Sequence, residues 1–137
     1  MRIIFYLLLL TLFSCQEKII NNSSDIDTAK NLSDEFYLRI KDENTSAICR
    51  NLDESVNEKH FCKLLSIHVT EYGDLKEKNI FSIETVKTGI NENGIITYNI
   101  MLDVIYQKGK SYETLNFKKE NGIIKLVAYY FSPSKYR

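Results

Sequence analysis

The sequence predicts an α+β domain in which three N-terminal helices pack on a curved, four-stranded antiparallel meander. Three observations lead there. Residues 95–107, IITYNIMLDVIYQ, alternate β-branched and aromatic residues with polar ones at period two, the longest strand signal in the chain. Residues 55–72 carry apolar side chains at i, i+3, i+4 and i+7 and end on Gly73, the pattern of an amphipathic helix with its C-terminal stop. An Asn121-Gly122 pair between two apolar runs is the strongest short-range hairpin signal available.

At 137 residues the chain has room for one domain, assigned to 25–137. Eighteen Lys and Arg balance eighteen Asp and Glu, which excludes a strong overall field for nucleic acid or an anionic surface. The single proline, Pro133, lies at the end and leaves the body free for regular structure.

Residues 1–14 read as a targeting leader rather than as structure. Arg2 supplies a positive start, and the apolar stretch 3–13 is shorter than the about 20 residues a membrane-spanning helix needs. Leu12-Phe13-Ser14-Cys15 resembles the lipobox of bacterial lipoproteins. That resemblance implies cleavage before Cys15, acylation of its sulfur and amine (a palmitate-type anchor), and a place in the cell envelope. Gln16, not Asp, follows the cysteine, which by the same resemblance favours the outer membrane. An ordinary secretory signal and an uncleaved anchor are the alternatives. Residues 15–24 then form the lipidated cysteine and a polar tether, QEKIINNSS, spanning about 15–18 Å.

The first helix starts near Ser24 or Asp25, either a good N-cap. Ile26, Ala29, Leu32, Phe36 and Ile40 form its apolar face, and Asp25, Asp27, Lys30, Asp34 and Lys41 its polar one. A short second helix begins at Asn44 or Thr45, with Ala47, Ile48 and Leu52 inward. The third spans 55–72: Ser55 and Glu58 stand in a capping-box relation, and Phe61, Leu64, Leu65, His68, Val69 and Tyr72 make its stripe. Strands follow at 79–88, 95–107, 111–119 and 123–131. A two-residue Asn121-Gly122 loop sets Phe117 opposite Leu126, Leu115 opposite Ala128 and Glu113 opposite Tyr130. A two-residue Lys108-Gly109 loop sets Ile100 opposite Phe117 and Leu102 opposite Leu115, and a turn at Asn93-Gly94 puts Phe81, Ile83 and Thr85 on the same face.

Three helices, a curved meander and the closing stretch FKKENGIIKLVAY resemble the cystatin-like cone of the nuclear transport factor 2-like superfamily. Small bacterial lipoproteins of unknown function carry shortened versions of that fold. The resemblance covers about 25–131 and implies a fold. Enzymes of the superfamily place Asp, His or Tyr inside the cone, and no such set maps onto this chain residue by residue.

Five groups of residues are candidates for function. Cys49 and Cys62 form an even pair once Cys15 is lipidated, as a disulfide or as two buried thiols. His60 and His68 are eight apart, against three or four for a helical metal pair, so no metal site and no cofactor are expected. Glu113 is the one carboxylate that parity puts on the inner face, near Tyr130 and Tyr106. With His68 it makes a candidate acid–base pair; the alternative is that Glu113 reaches water at the open end of the sheet while His68 is hydrogen-bonded locally. Lys118, Lys119 and Lys125 gather beside the last hairpin, as a solvated edge or a lipid-headgroup contact. Met101, Ile105, Tyr112, Tyr129 and Phe131 are expected on the outer sheet face as a partner surface, for a homodimer or another protein. The function these point to is a non-enzymatic, lipid-anchored envelope domain that binds a protein or small ligand. The alternative is an enzyme using Glu113 and His68.

Overall fold

A computed structural model of the chain describes residues 17–89 and 94–133. It is α+β, with three helices and one open antiparallel sheet of five strands in the order β1-β2-β3-β4-β5. The strands are β1 (Glu17–Ile19), β2 (Leu75–Thr88), β3 (Ile95–Tyr106), β4 (Gly109–Glu120) and β5 (Ile123–Pro133). The helices are α1 (Ser23–Lys41), α2 (Thr45–Cys49) and α3 (Glu58–Tyr72). The expected leader, Cys15 and Asn93 of the expected turn lie outside the described residues.

The sheet has five strands where the sequence predicts four, because the expected tether is itself folded. Lys18 pairs with Lys87 and Ile19 with Val86. Beyond the strand, Asn21 locks onto Thr85: its N–H donates to Thr85 Oγ1 at 2.8 Å, and its Oδ1 accepts from Thr85 N–H at 2.7 Å. Asn21 holds a positive φ of 34°, a conformation Asn tolerates better than most residues. Asn22 then caps α1 by accepting from Asp25 N–H at 2.8 Å. The helix therefore starts one or two residues before the predicted cap. Asp25, predicted on the polar face, is buried instead and accepts from Tyr98 OH at 3.3 Å.

α3 starts three residues later than its capping-box reading. Asn57 is the cap, accepting from His60 N–H at 3.0 Å, while Ser55 donates to Asp53 in the preceding turn. Its end is as predicted: Gly73 sits at φ +73°, where any side chain would be strained. Leu65 and His68 are its buried residues, whereas Leu64 of the predicted stripe is exposed. Among the described residues no helix is long and apolar enough to cross a membrane.

The helices lie on the sheet face formed by Tyr98, Ile100, Leu102, Val104 and Tyr106 of β3 with Leu115, Phe117 and Leu126. The register departs from expectation in three places. The β3–β4 loop is Gln107-Lys108, not Lys108-Gly109, so Ile100 pairs with Leu115 and Leu102 with Glu113. That two-residue shift keeps every side chain on its face. In β2 a bulge at Phe81 places Ile80 opposite Leu102 and leaves Phe81 exposed rather than inward. In β5, Phe117 pairs with Leu126 as expected, but Val127 is an extra residue. Beyond it Leu115 pairs with Tyr129, not Ala128, and Glu113 with Phe131, not Tyr130. This one-residue slip turns Tyr129 and Phe131 inward and Tyr130 outward, the reverse of the predicted outer surface. The free edge of β5 is partly covered by the α2–α3 loop. Asp53 N–H donates to Leu126 O at 2.9 Å and Leu126 N–H to Asn51 O at 3.0 Å.

Candidate functional site

The interior candidate is built around Glu113. It lies on the inner face of β4, between Leu102 of β3 and Phe131 of β5, and three elements converge on its carboxylate. From α1, Tyr37 OH donates to Oε2 at 2.7 Å. From β5, Tyr129 OH donates to the same oxygen at 2.6 Å, a contact the Val127 bulge makes available. From α3, His68 Nε2 stands 3.1 Å from Oε1. Structure thus brings the predicted pair Glu113 and His68 together and replaces Tyr130 with Tyr129. Tyr37 was not among the residues the sequence singled out; the one signal that could have found it is its place two turns on from Ala29 on the apolar side of α1.

The imidazole is enclosed by rings. Tyr72 lies 4.5 Å away at 40° and Phe131 4.0 Å away at 34°, both tilted against it, and Tyr106 meets it edge-on at 5.3 Å. The side chains of Glu113 and His68 both have 0% exposure. The hydrogen-bond network assigns Nε2–H to His68, because an ionised carboxylate only accepts. Its Nδ1 has no partner among the described residues, nor has Tyr106 OH.

Burial pushes the Glu113 carboxyl up, and the hydrogen bonds from His68, Tyr129 and Tyr37 outweigh it, holding the group below its ordinary 4.5. Burial, then the Glu113 charge, hold Tyr37 and Tyr129 well above 10.0, and Tyr106 is raised for the same two reasons. The tyrosines therefore stay donors. A carboxylate that orients Nε2–H leaves Nδ1 as a base, which is the chemistry of a proton-abstracting dyad. Here that base is closed off by Tyr72 and Phe131. The described contacts make the cluster a bolt joining α1, α3 and β5 to β4.

The other candidates lie apart from it. His60 is exposed on the first turn of α3, and no group of three or more metal-ligating side chains occurs among the described residues. Cys49 and Cys62 are bonded, with Cα atoms 5.9 Å apart, tying α2 to α3. Lys118 is engaged with Asp53 at 2.8 Å and Glu120 at 3.2 Å, and Lys118 with Ser55 holds the Asp53 carboxyl below the usual range. On the outer face Met101 and Tyr112 are exposed and Ile105 is half-buried beside a groove lined by Asp103, Glu77 and Lys110. Met101, Thr114 and Tyr130 form one cross-strand row there.

No protein-family model, curated protein or solved structure compared with the chain matches it.

Proposed function

We propose that the chain is a lipid-anchored cell-envelope domain, held through Cys15 and most simply placed at the outer membrane, that binds a partner without catalysing a reaction. The single observation that carries the non-enzymatic reading is the enclosure of Glu113 and His68: the only buried acid–base pair among the described residues is spent on holding helices to the sheet. The anchor rests on Leu12-Phe13-Ser14-Cys15 after an apolar stretch. The order of three helices before β2–β5 supports a cystatin-like cone, extended here by β1.

Replacing Cys15 with Ala in the expressing bacterium tests the anchor. The wild type should incorporate labelled fatty acid and migrate as a processed form, and the variant should accumulate as an unlabelled precursor. Equal labelling of the two would remove the proposal.

The partner surface belongs on the outer sheet face, with Met101, Ile105 and Tyr112 kept from the sequence reading and Tyr130 standing where Tyr129 and Phe131 were expected. Aromatic residues and Met are enriched at interfaces. If the partner is a second copy, the chain should sediment as a dimer that Ile105→Asp with Tyr130→Asp converts to a folded monomer. A wild-type chain that stays monomeric at high concentration excludes that partner.

A further inference from the structure

We infer that the end of the sheet where the chain enters is a docking surface for an anionic membrane. The inference rests on the lipid anchor at Cys15. Only Gln16 separates that cysteine from Glu17, the first residue of β1. Two residue steps reach at most about 7 Å. With β1 paired to β2 and Asn21 locked to Thr85, the slack expected of a nine-residue tether is gone. An acylated Cys15 therefore brings one end of the sheet, and not the opposite one, against the headgroups.

That end has the composition such a contact needs. One row across all five strands reads Lys18, Lys87, Ile96, Lys119 and Ile124. The next row reads Ile19, Val86, Thr97, Lys118 and Lys125, and adjacent rows face opposite sides of the sheet. Lysines thus surround the end on both faces. Among the described residues Lys18, Lys87, Lys119 and Lys125 have no carboxylate partner, and only Lys118 is neutralised, by Asp53 and Glu120. Beside them Ile19 and Ile123 are 60% and 61% exposed, although both are large aliphatic side chains. Basic groups flanking exposed apolar ones suit an interface of anionic headgroups over acyl chains. Carboxylates occur at both ends: Glu17 and Glu120 lie in the outermost row of this one, beside Thr88 and Ile123, with Glu120 taken up by Lys118, and lysines outnumber them there, whereas at the far end acidic residues mix evenly with lysines. Asp74 pairs with Lys76 there, and Glu77 and Asp103 lie near Lys110. Each lysine near an anionic surface strengthens attachment about fivefold at low salt.

The test uses the full chain purified from the bacterial membrane and reconstituted into vesicles of phosphatidylglycerol with phosphatidylcholine. A fluorophore is placed at Ile123→Cys or, at the opposite end, at Lys76→Cys, and the lipid carries a headgroup nitroxide quencher. Strong quenching at position 123 and little at 76 is expected. Lys18→Glu, Lys87→Glu and Lys119→Glu together, or high salt, should lower quenching at 123 toward that at 76, with the thermal midpoint unchanged. Equal quenching at both ends, or quenching at 123 that ignores charge reversal, would overturn the inference while leaving the anchor intact. An intact mass without acyl groups would instead overturn the anchor, and the inference with it.

Discussion

Glu113→Ala is expected to destabilise the domain by about 4 kcal/mol and lower its thermal midpoint by roughly 15 °C. The truncation removes one acceptor that serves three donors from three elements and leaves Tyr37, Tyr129 and His68 Nε2–H unpartnered in the interior. Each orphaned donor costs about 1–3 kcal/mol, and a residual cavity adds to the sum. Glu113→Gln keeps the shape and one acceptor oxygen and should cost about half as much. Tyr129→Phe removes a single donor, leaves the carboxylate two others, and should cost about 1–2 kcal/mol. The pH dependence has a fixed sign. Glu113 is depressed in the folded state, so its contribution is present above the ordinary 4.5 and is lost as pH falls through its lower folded value. Tyr37 and Tyr129 are raised, so their contribution is complete below 10.0 and declines as pH rises beyond it. Tyr98 follows the same alkaline course, pushed up to about 12 by burial and by Asp25. Thermal melts from acid to alkaline pH read all of this: Glu113→Gln should flatten the acid limb and soften the alkaline one without removing it, because burial still raises Tyr37 and Tyr129 once the Glu113 charge is gone. A Glu113→Ala variant within about 1 kcal/mol of wild type would show that the carboxylate holds nothing together.

Opening the Cys49–Cys62 bond should cost about 3 kcal/mol by loop-closure entropy over its separation of 13 residues. The effect is local in origin. α2 has five residues, too few to persist alone, and only Ala47 and Ile48 are buried from it. Cross-linked to α3, it holds Ile48 in the core and positions the following loop, whose Asn51 and Asp53 bond the edge of β5 at Leu126. Cys49→Ala with Cys62→Ala should therefore lower the thermal midpoint and raise amide exchange at Leu126 ahead of β3. Thiol titration of the denatured chain should find neither cysteine reactive until a reductant is added. Two reactive thiols without reductant would mean that α2 is held by packing alone.

Much of the α+β arrangement was legible, and the misses share a physical cause. Period-two alternation in β3 and the Asn121-Gly122 turn place Phe117 opposite Leu126 without any structure. What they cannot carry is the extra residue at Val127, since a β-branched residue at a bulge looks like any other strand residue. Past it parity inverts, which is why Tyr129 and Phe131 read as outward and Tyr130 as inward. Phe81 fails for the same reason in β2. The fifth strand hides because Glu17–Ile19 is three residues long in a polar Asn-rich stretch, and its hold on β2 comes from Asn21 and Thr85, 64 residues apart. Of the interior cluster, parity found Glu113 and helical spacing found His68. Tyr129 was missed through the bulge, and Tyr37 because a donor to a buried carboxylate is defined by tertiary proximity and not by local pattern.

The proposed non-enzymatic function requires a closed interior. The two histidines test it within one molecule. His60 is exposed on the first turn of α3, and His68 lies two turns on with no exposed surface. Diethylpyrocarbonate modification of the native chain, mapped by peptide mass, should label His60 rapidly and leave His68 unlabelled until the domain unfolds. Labelling of His68 in the folded protein at a rate near that of His60 would contradict the account and make Glu113 and His68 an accessible acid–base pair.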